Sequence, residues 1–562
     1  MEEFKRQAMK TSNQKTLYLI LLCVSLFLTG CSTPKEHFSK KDARAAQRLI
    51  GIEMSKMGMD TLYPYLKRNR DGYDSVRKYP MGNDLFPAVR FDPRPHGFIM
   101  PEQLQPQGWD IPQHVELPRP HELLAFYTIP QLASLINHQK ISATELTQFF
   151  LDRLKKYQPL LQCTITLMDS LALAQAQRAD LEIKNGQYRG ILHGIPYGAK
   201  DLISVAGHPT TWGAVPYREQ QFDETATVIK KLEEAGAILV AKLVSGSLAR
   251  GDVWFGGRTK NPWDTGQGAS GSSAGSGSAV AAGLIPFALG TETYGSIVSP
   301  SNRNGVTGLR PTYGWVSRHG VMSLSWSMDK LGPMGRNAED CAIVFETIQG
   351  HDPEDLSTVD LPFGMDGNRK PSDLRVAYLK KDIERDTTDA GENLRKALKA
   401  LKAVGVDPIA VELPKDIPYD GLDIILRAEA GAFFDELVRS GRVDLMVEQD
   451  RRSRANSLRQ SRFIPAVEYL QANRQRQVLI EKMHHLLRDF DVLISPTFGN
   501  DQLFATNLTG HPAIAVPTGL DKKRHPTSMT LVGNLYDEAS ILLLAKAFQD
   551  RTQFDEMHPP GF

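Results

Sequence analysis

The sequence predicts an α/β fold, with helices layered on a sheet too large to be a minimal module. Three observations carry this expectation. From about residue 127 onward, segments with helical spacing alternate with short apolar runs. The apolar runs, such as "AILVAKL" (237–243) and "DVLISPT" (491–497), have the length and boundaries of buried strands. The chain has 562 residues, 41% of them hydrophobic and 23% charged, enough for one large or two medium domains with a substantial core. A net charge of +1 supplies no basic field for nucleic acid, so no nucleic-acid partner is expected.

The first thirty residues stand apart from the fold. Lys5, Arg6, Lys10 and Lys15 form a basic stretch, and "LYLILLCVSLFL" (17–28) is an apolar run too short to span a bilayer comfortably. This is the layout of a secretory signal peptide over 1–30. "LTGC" (28–31) resembles a bacterial lipobox, which makes Cys31 the expected lipidated residue, with a membrane anchor and a cell-envelope location following from it. Met9 is a second candidate start, because "MKTSNQK" is the more usual opening. Loss of four basic and two acidic residues with the signal takes the net charge from +1 to −1, so attachment would rest on acyl chains rather than on a polybasic patch. Only Cys163 and Cys341 would then remain, which implies no disulfide framework.

Residues 31–44 are polar and read as a tether, followed by an N-terminal extension over 45–124 and the main domain over 125–558. Helical spacing runs through 43–70, with Ala46, Leu49 and Ile50, then Met54, Met57 and Met59. Eight prolines between Pro87 and Pro120 forbid a long helix or central strand and suggest an extended wrap, with Phe91, Phe98, Trp109 and Ile111 as its contacts. Next come "TIPQLASLINHQK" and "SATELTQFFLDRLKKYQ", the second with Ser142 as N-cap and Glu145 at the capping-box position. "SLALAQAQRADLEIKNG" is a helix stopped at Gly186, "GILHGIPYGAKD" is a short apolar segment, and 223–243 reads as helix, glycine stop, strand. Later strands are expected in "LRVAYLK", "VDPIAVEL", "DVLISPT" and "AIAVPTG", with helices at 388–404 and 465–489.

Two serine-rich patches carry the chemistry, "GQGASGSSAGSGSAVAAG" (266–283) and "GTETYGSIVSP" (290–300). The first precedes a small-residue helix near 274–284, which puts Ser272 at a loop–helix junction. The second follows the apolar "LIPFALG", which puts Ser296 at a strand end in a bend rich in free N–H groups, where an oxyanion can be stabilised. A phosphate loop is excluded, because no lysine occurs between Lys260 and Lys330. "GSSAG" (271–275) fits the nucleophile-elbow pattern with Ser273 as nucleophile, but that elbow needs a preceding strand, and "NPWDTGQGA" does not read as one. A serine needs a base. His319 has no partner at a telling spacing, whereas Lys200 and Lys242 both sit in apolar settings where desolvation would favour the free amine. Spacing alone does not choose between the two lysines.

Residues 268–342, from "GASGSSAGSGSAVAAG" to "GPMGRNAEDCA", resemble the amidase signature family, whose pattern runs G-G-S-S-G-G-S, then G-T-D-T-G-G-S-I-R, then G-L-K-P-T and G-P-M. "GIPYGAKDLISVAGHPTTWGA", "NPWD", "ATNLTGHPAIAVPTG" and "VGNLYDEAS" extend the resemblance over about 125–555. It implies a large mixed β-sheet covered by helices on both faces. It also implies a catalytic triad in which Lys200 is the base, Ser272 a bridging serine on a cis peptide and Ser296 the acylated nucleophile, which leaves Lys242 as the structural lysine. The oxyanion hole maps onto the N–H groups of Thr293, Tyr294, Gly295 and Ser296. No metal or cofactor is implied, and Asp329 and His319 are expected to be structural. Departures are Glu292 for the family's aspartate, Tyr294 for glycine and Val298 for arginine. Peptide-amidase-like members resemble this variant, and Tyr294 would bear on the size of the acyl pocket.

The expected function is hydrolysis of a small or peptide amide through a serine acyl-enzyme. The alternatives are an exported binding lipoprotein with an inert Ser296, and a cytosolic amidotransferase of the A type whose N-terminus only imitates a signal.

Overall fold

The computed structural model describes residues 38–562 except 80, 103, 107 and 500. The expected signal segment and Cys31 lie outside the described residues. The described residues divide into two compact units, one before residue 80 and one over 81–562.

The first unit contains two helices among the described residues, Lys40–Leu49 and Lys56–Val76, where helical spacing suggests one continuous stretch. The break has local causes. Gly51 takes φ +69°, and Ser55 opens the second helix by accepting the Gly58 N–H at 3.0 Å. The first helix starts inside the segment expected to be a tether, because Ser39 and Asp42 form a capping box there.

The described residues of the second unit contain fifteen strands: β1 (Thr164–Leu167), β2 (Pro196–Lys200), β3 (Ile238–Leu243), β4 (Val253–Trp254), β5 (Gly257–Arg258), β6 (Lys260–Asn261), β7 (Asp264–Gly268), β8 (Phe287–Glu292), β9 (Thr307–Arg310), β10 (Lys330–Gly335), β11 (Val376–Leu379), β12 (Ile409–Val411), β13 (Val492–Pro496), β14 (Ala513–Leu520) and β15 (Pro526–Gly533). Eleven of them form one sheet in the order β1-β3-β2-β8-β10-β9-β14-β15-β13-β11-β12. The sheet is mixed. β2 runs parallel to β3 and β8, β11 runs parallel to β12 and β13, and the other pairs are antiparallel.

Strand alternation explains why the predicted strands read as continuous apolar runs. On β3, Leu239 enters one core while Ile238 and Val240 enter another; on β8, Phe287 and Leu289 join the first and Ala288 the second. Both faces are therefore covered by helices, and polar alternation is lost. The helix Ala143–Leu161 begins with the Ser142–Glu145 capping box, and Asp169–Lys184 is followed by Gly186 at φ +78°. The proline-rich stretch is an extended wrap: Phe91 meets Tyr313 edge-on at 5.0 Å, and the Trp109 indole N–H donates to Glu346. "NPWDTGQGA" does contain strand, contrary to expectation. β6 and β7 form a small separate hairpin, and at its turn the Asn261 side chain accepts the Trp263 N–H at 3.0 Å.

Candidate functional site

Three strand ends meet at one edge of the sheet. β2 ends at Lys200, its neighbour β8 ends at Glu292, and β10 runs back antiparallel to β8 with Lys330 opposite Glu292. This register brings Lys200, Thr291, Glu292 and Asp329 to a common place. The loop 269–273 and the turn 293–297 close over it.

Lys200 is completely buried. Its Nζ lies 2.8 Å from Ser272 Oγ, 3.0 Å from Ser273 Oγ and 2.8 Å from Thr291 Oγ1. Burial pushes the Lys200 amine well below the usual lysine range, while the charges of Asp329 and Glu292 oppose that shift. Lys242 differs in kind. It forms an ion pair with Asp201 at 2.8 Å, with both side chains fully buried, and donates to Thr210 Oγ1 and the Pro209 carbonyl. One of the two lysines thus sits among hydroxyls, the other against a carboxylate.

The serine loop is shaped by close approach. A Cβ on Gly271 would stand 1.8 Å from the Gly251 carbonyl oxygen, so only glycine fits, and the Gly271–Ser272 peptide bond is cis. The helix Ala274–Ala281 that follows is buried throughout. A Cβ on Gly275 would meet Cys163 O and Val244 N at 2.3 Å, so small residues let this helix lie directly on the chain leaving β3. Ser273 ties the loop to β8: its hydroxyl donates to the Thr291 carbonyl at 3.2 Å and accepts the Thr291 N–H at 3.2 Å. Its own N–H donates to the Ser296 carbonyl at 3.2 Å. These bonds turn the Ser273 side chain inward. The elbow pattern, which would expose it as a nucleophile, fails for this reason rather than for want of a nearby strand.

Ser296 is 8% exposed, and its hydroxyl has no hydrogen-bond partner among the described residues. The structure thus joins Lys200 to Ser272 directly, and joins Ser296 to the same loop through backbone. The N–H groups of Tyr294, Gly295 and Ser296 likewise have no partner among the described residues. They are kept free because Glu292 takes the next two, accepting from Ile297 and Val298 at 2.8 and 3.0 Å. The other oxygen of Glu292 accepts from Arg310 at 2.7 Å and Asn507 at 2.8 Å. The Thr293 hydroxyl donates to Asp329 at 2.6 Å, and the other Asp329 oxygen accepts the N–H groups of Leu324 and Ser325. Burial raises the Asp329 carboxyl above its ordinary range against these donors. Tyr294 is 45% exposed, with its ring 4.7 Å from that of Phe504. His319 pairs with Glu224 at 2.6 Å and does not contact Lys200.

Sequence reasoning missed Thr291 and passed over Ser273 as a partner of Lys200. The only signal was their place in the two serine-threonine patches. Among the described residues no group of three or more His, Cys, Asp or Glu is placed to hold a metal ion.

A family model described as Amidase matches residues 145–505. The A-type component of the glutamyl-tRNA(Gln) amidotransferase of Legionella pneumophila (strain Paris) is 30% identical over 483 residues, covering 77% of this chain and 99% of that protein. Among solved structures, the native peptide amidase from Stenotrophomonas maltophilia superposes with a TM-score of 0.68 at 27% identity, covering 77% of this chain and 98% of that one. A structure reported as a vestigial protein complex revealing the origins of an s-triazine catabolic enzyme gives a TM-score of 0.69 at 26% identity, covering 76% of this chain and 99% of that one.

Proposed function

The chain belongs to the amidase signature family and is an amide-hydrolysing enzyme, and on that premise we propose that it cleaves a carboxamide through an acyl-enzyme on Ser296, with Lys200 as base and Ser272 as the proton bridge between them. The observation that carries the proposal is a buried lysine, held toward its free-amine form, 2.8 Å from the Ser272 hydroxyl.

Hydrogen accounting supports the direction of the relay. A free amine has two N–H groups and one lone pair. The Ser273 hydrogen is directed to the Thr291 carbonyl, so Ser273 Oγ accepts from Lys200. Thr291 Oγ1, at 2.8 Å, takes the second N–H. The lone pair is then left for the Ser272 O–H. When Ser296 attacks the amide carbonyl, its proton passes to Ser272 Oγ while the Ser272 proton passes to Lys200. The ammonium so formed faces the charges of Asp329 and Glu292. The carbonyl oxygen becomes an oxyanion beside the N–H groups of Thr293, Tyr294, Gly295 and Ser296, the last three of which have no other partner among the described residues. The relay then runs backward to protonate the leaving amine, and water, deprotonated by the same route, releases the acid.

The lipobox-like "LTGC" supports attachment through Cys31 in a bacterial cell envelope. The similarity to the A-type components of amidotransferases favours a second reading, a cytosolic protein that releases ammonia for a partner enzyme. Radiolabelled palmitate separates the two. Incorporation that disappears in Cys31→Ala supports the anchored enzyme, and its absence from the wild type supports the cytosolic one. The catalytic proposal is tested by a hydrolysis screen over peptide amides, aryl amides and N-acyl amines, with Ser296→Ala as the blank. Turnover that survives in the blank would overturn it.

A further inference from the structure

Beyond Lys200 the chain leaving β2 walls a cavity of about 380 Å³, bordered by Leu202, Ser204, Trp212, Phe222, Met322 and Phe434 among others. That volume falls in the range of small-molecule sites, roughly 300–1,000 Å³. A smaller space shares Leu202, Val321 and Met322 with it and is walled also by Thr291, Thr293 and Asp329. The cavity therefore adjoins the elements that carry the base and the oxyanion turn.

Two features mark it as built for a ligand. Trp212 and Ser204 are 5% and 3% exposed, yet Trp212 Nε1 and Ser204 Oγ have no hydrogen-bond partner among the described residues. Buried polar atoms are almost always paired, and the two side chains that carry these unpaired ones both border the cavity. Trp212 also holds φ +53°, a costly conformation for a bulky residue. The Trp212 backbone N–H donates to the Asp201 carbonyl at 3.2 Å, and its carbonyl accepts the Leu248 N–H at 3.0 Å, so both neighbours fix the ring's place. Its indole packs 4.6 Å from Tyr217 and 6.0 Å from Phe434. Of the acidic groups at the cavity, Glu224 pairs with His319 and Glu436 with Arg442, and Asp84 borders it as well. Around Trp212 and Ser204 the wall is mainly apolar and aromatic, with Asn83, Asp84 and Gln220 among its other polar members.

We propose that this cavity receives the part of the substrate remote from the scissile bond and selects a bulky apolar group joined to a carbonyl, as in an N-acylated amino-acid amide or a short peptide amide. The carbonyl oxygen accepts from Trp212 Nε1–H and Ser204 Oγ–H, and the apolar group fills the space against Phe222, Met322 and Phe434. The inference rests on the hydrolytic function proposed above.

Binding of N-acetyl-L-phenylalaninamide to Ser296→Ala, followed by calorimetry, tests the pocket without turnover. Trp212→Phe and Ser204→Ala, each added singly, are expected to weaken binding about five- to tenfold, the loss of one hydrogen bond. N-Acetylglycinamide is expected to bind at least about tenfold more weakly than the phenylalanine compound. Ser204→Ala removes a single atom, so it keeps the test open if Trp212→Phe does not fold. Unchanged affinity in the variants, or equal affinity for the two amides, overturns the proposal even if the wild-type protein hydrolyses both. Binding that depends on Trp212 and Ser204, in a protein whose wild type cleaves neither amide, upholds the pocket and overturns the hydrolytic function instead.

Discussion

Glu292→Gln tests how the turn bearing Ser296 is held in shape. The Glu292 side chain is fully buried and takes donors on both oxygens, Arg310 and Asn507 on one, the Ile297 and Val298 N–H groups on the other. Burial pushes this carboxyl up, but the Arg310 guanidinium beside it and the hydrogen bonds to its oxygens outweigh that and hold it at about 2, against an ordinary 4.5. At about 1.4 kcal/mol per pH unit, the gap corresponds to about 3 kcal/mol of stability. Because the folded value is the lower one, that stability is present above pH 4.5 and is lost as pH falls toward 2. Glutamine keeps the shape, but it turns a donor toward groups that are themselves donors and leaves Arg310 buried without its counter-charge. Breaking such a pair costs about 3–5 kcal/mol, in agreement with the first figure. Urea unfolding followed by far-ultraviolet circular dichroism measures the difference between wild type and variant. It should be about 3 kcal/mol at pH 7 and about 2 kcal/mol at pH 3.5, where the wild type has already lost about 1.4 kcal/mol. A difference below about 1 kcal/mol at pH 7, or one independent of pH, would refute the account.

Lys200→Met should abolish hydrolysis while leaving the protein folded. Since burial lowers the folded-state value of this amine below 10.5, the unfolded chain binds the extra proton between the two values, so wild-type stability rises with pH across that window, and the variant's slope there should be shallower by about 1.4 kcal/mol per pH unit in urea titrations. Wild-type kcat/KM should rise with pH through the same depressed value as the free amine forms. Asp201→Asn leaves Lys242 without its partner and should cost about 3–5 kcal/mol in unfolding, with Lys242→Met in the same chain restoring much of the loss. Asp329→Asn places an amide N–H₂ among the Thr293, Leu324 and Ser325 donors and should lower kcat by on the order of tenfold, with KM changed less, in steady-state assays.

Much of the fold is legible because its strands are buried on both faces, and runs such as "AILVAKL" therefore carry the hydrophobic signal undiluted. The hairpin in "NPWDTGQGA" is hidden because it is small, polar and outside the main sheet, so it has no apolar pattern to show. The break at 50–55 in the first unit is masked by the methionines that follow it, although Gly51 and Ser55 are its local signals. At the site, the serines stand out by composition, but the choice between Lys200 and Lys242 turns on a residue that periodicity cannot assign. Asp201 follows Lys200 directly, yet it pairs with Lys242 on the neighbouring strand and leaves Lys200 among hydroxyls. The family pattern supplies the order of the motifs, whereas the pairing of positions 292 and 310 is visible only as a contact. Glutamate stands for the pattern's aspartate, arginine for the lysine of G-L-K-P-T, and the two meet at 2.7 Å.

The account centres on a free amine at Lys200 that makes Ser296 a nucleophile by way of Ser272. Treatment with a fluorophosphonate probe, followed by peptide mass mapping, tests it most directly. The account predicts a single adduct on Ser296 in the wild type, absent from Ser296→Ala and strongly slowed in Lys200→Met and Ser272→Ala. An adduct on another residue, or labelling of Ser296 at an unchanged rate in Lys200→Met, would contradict it.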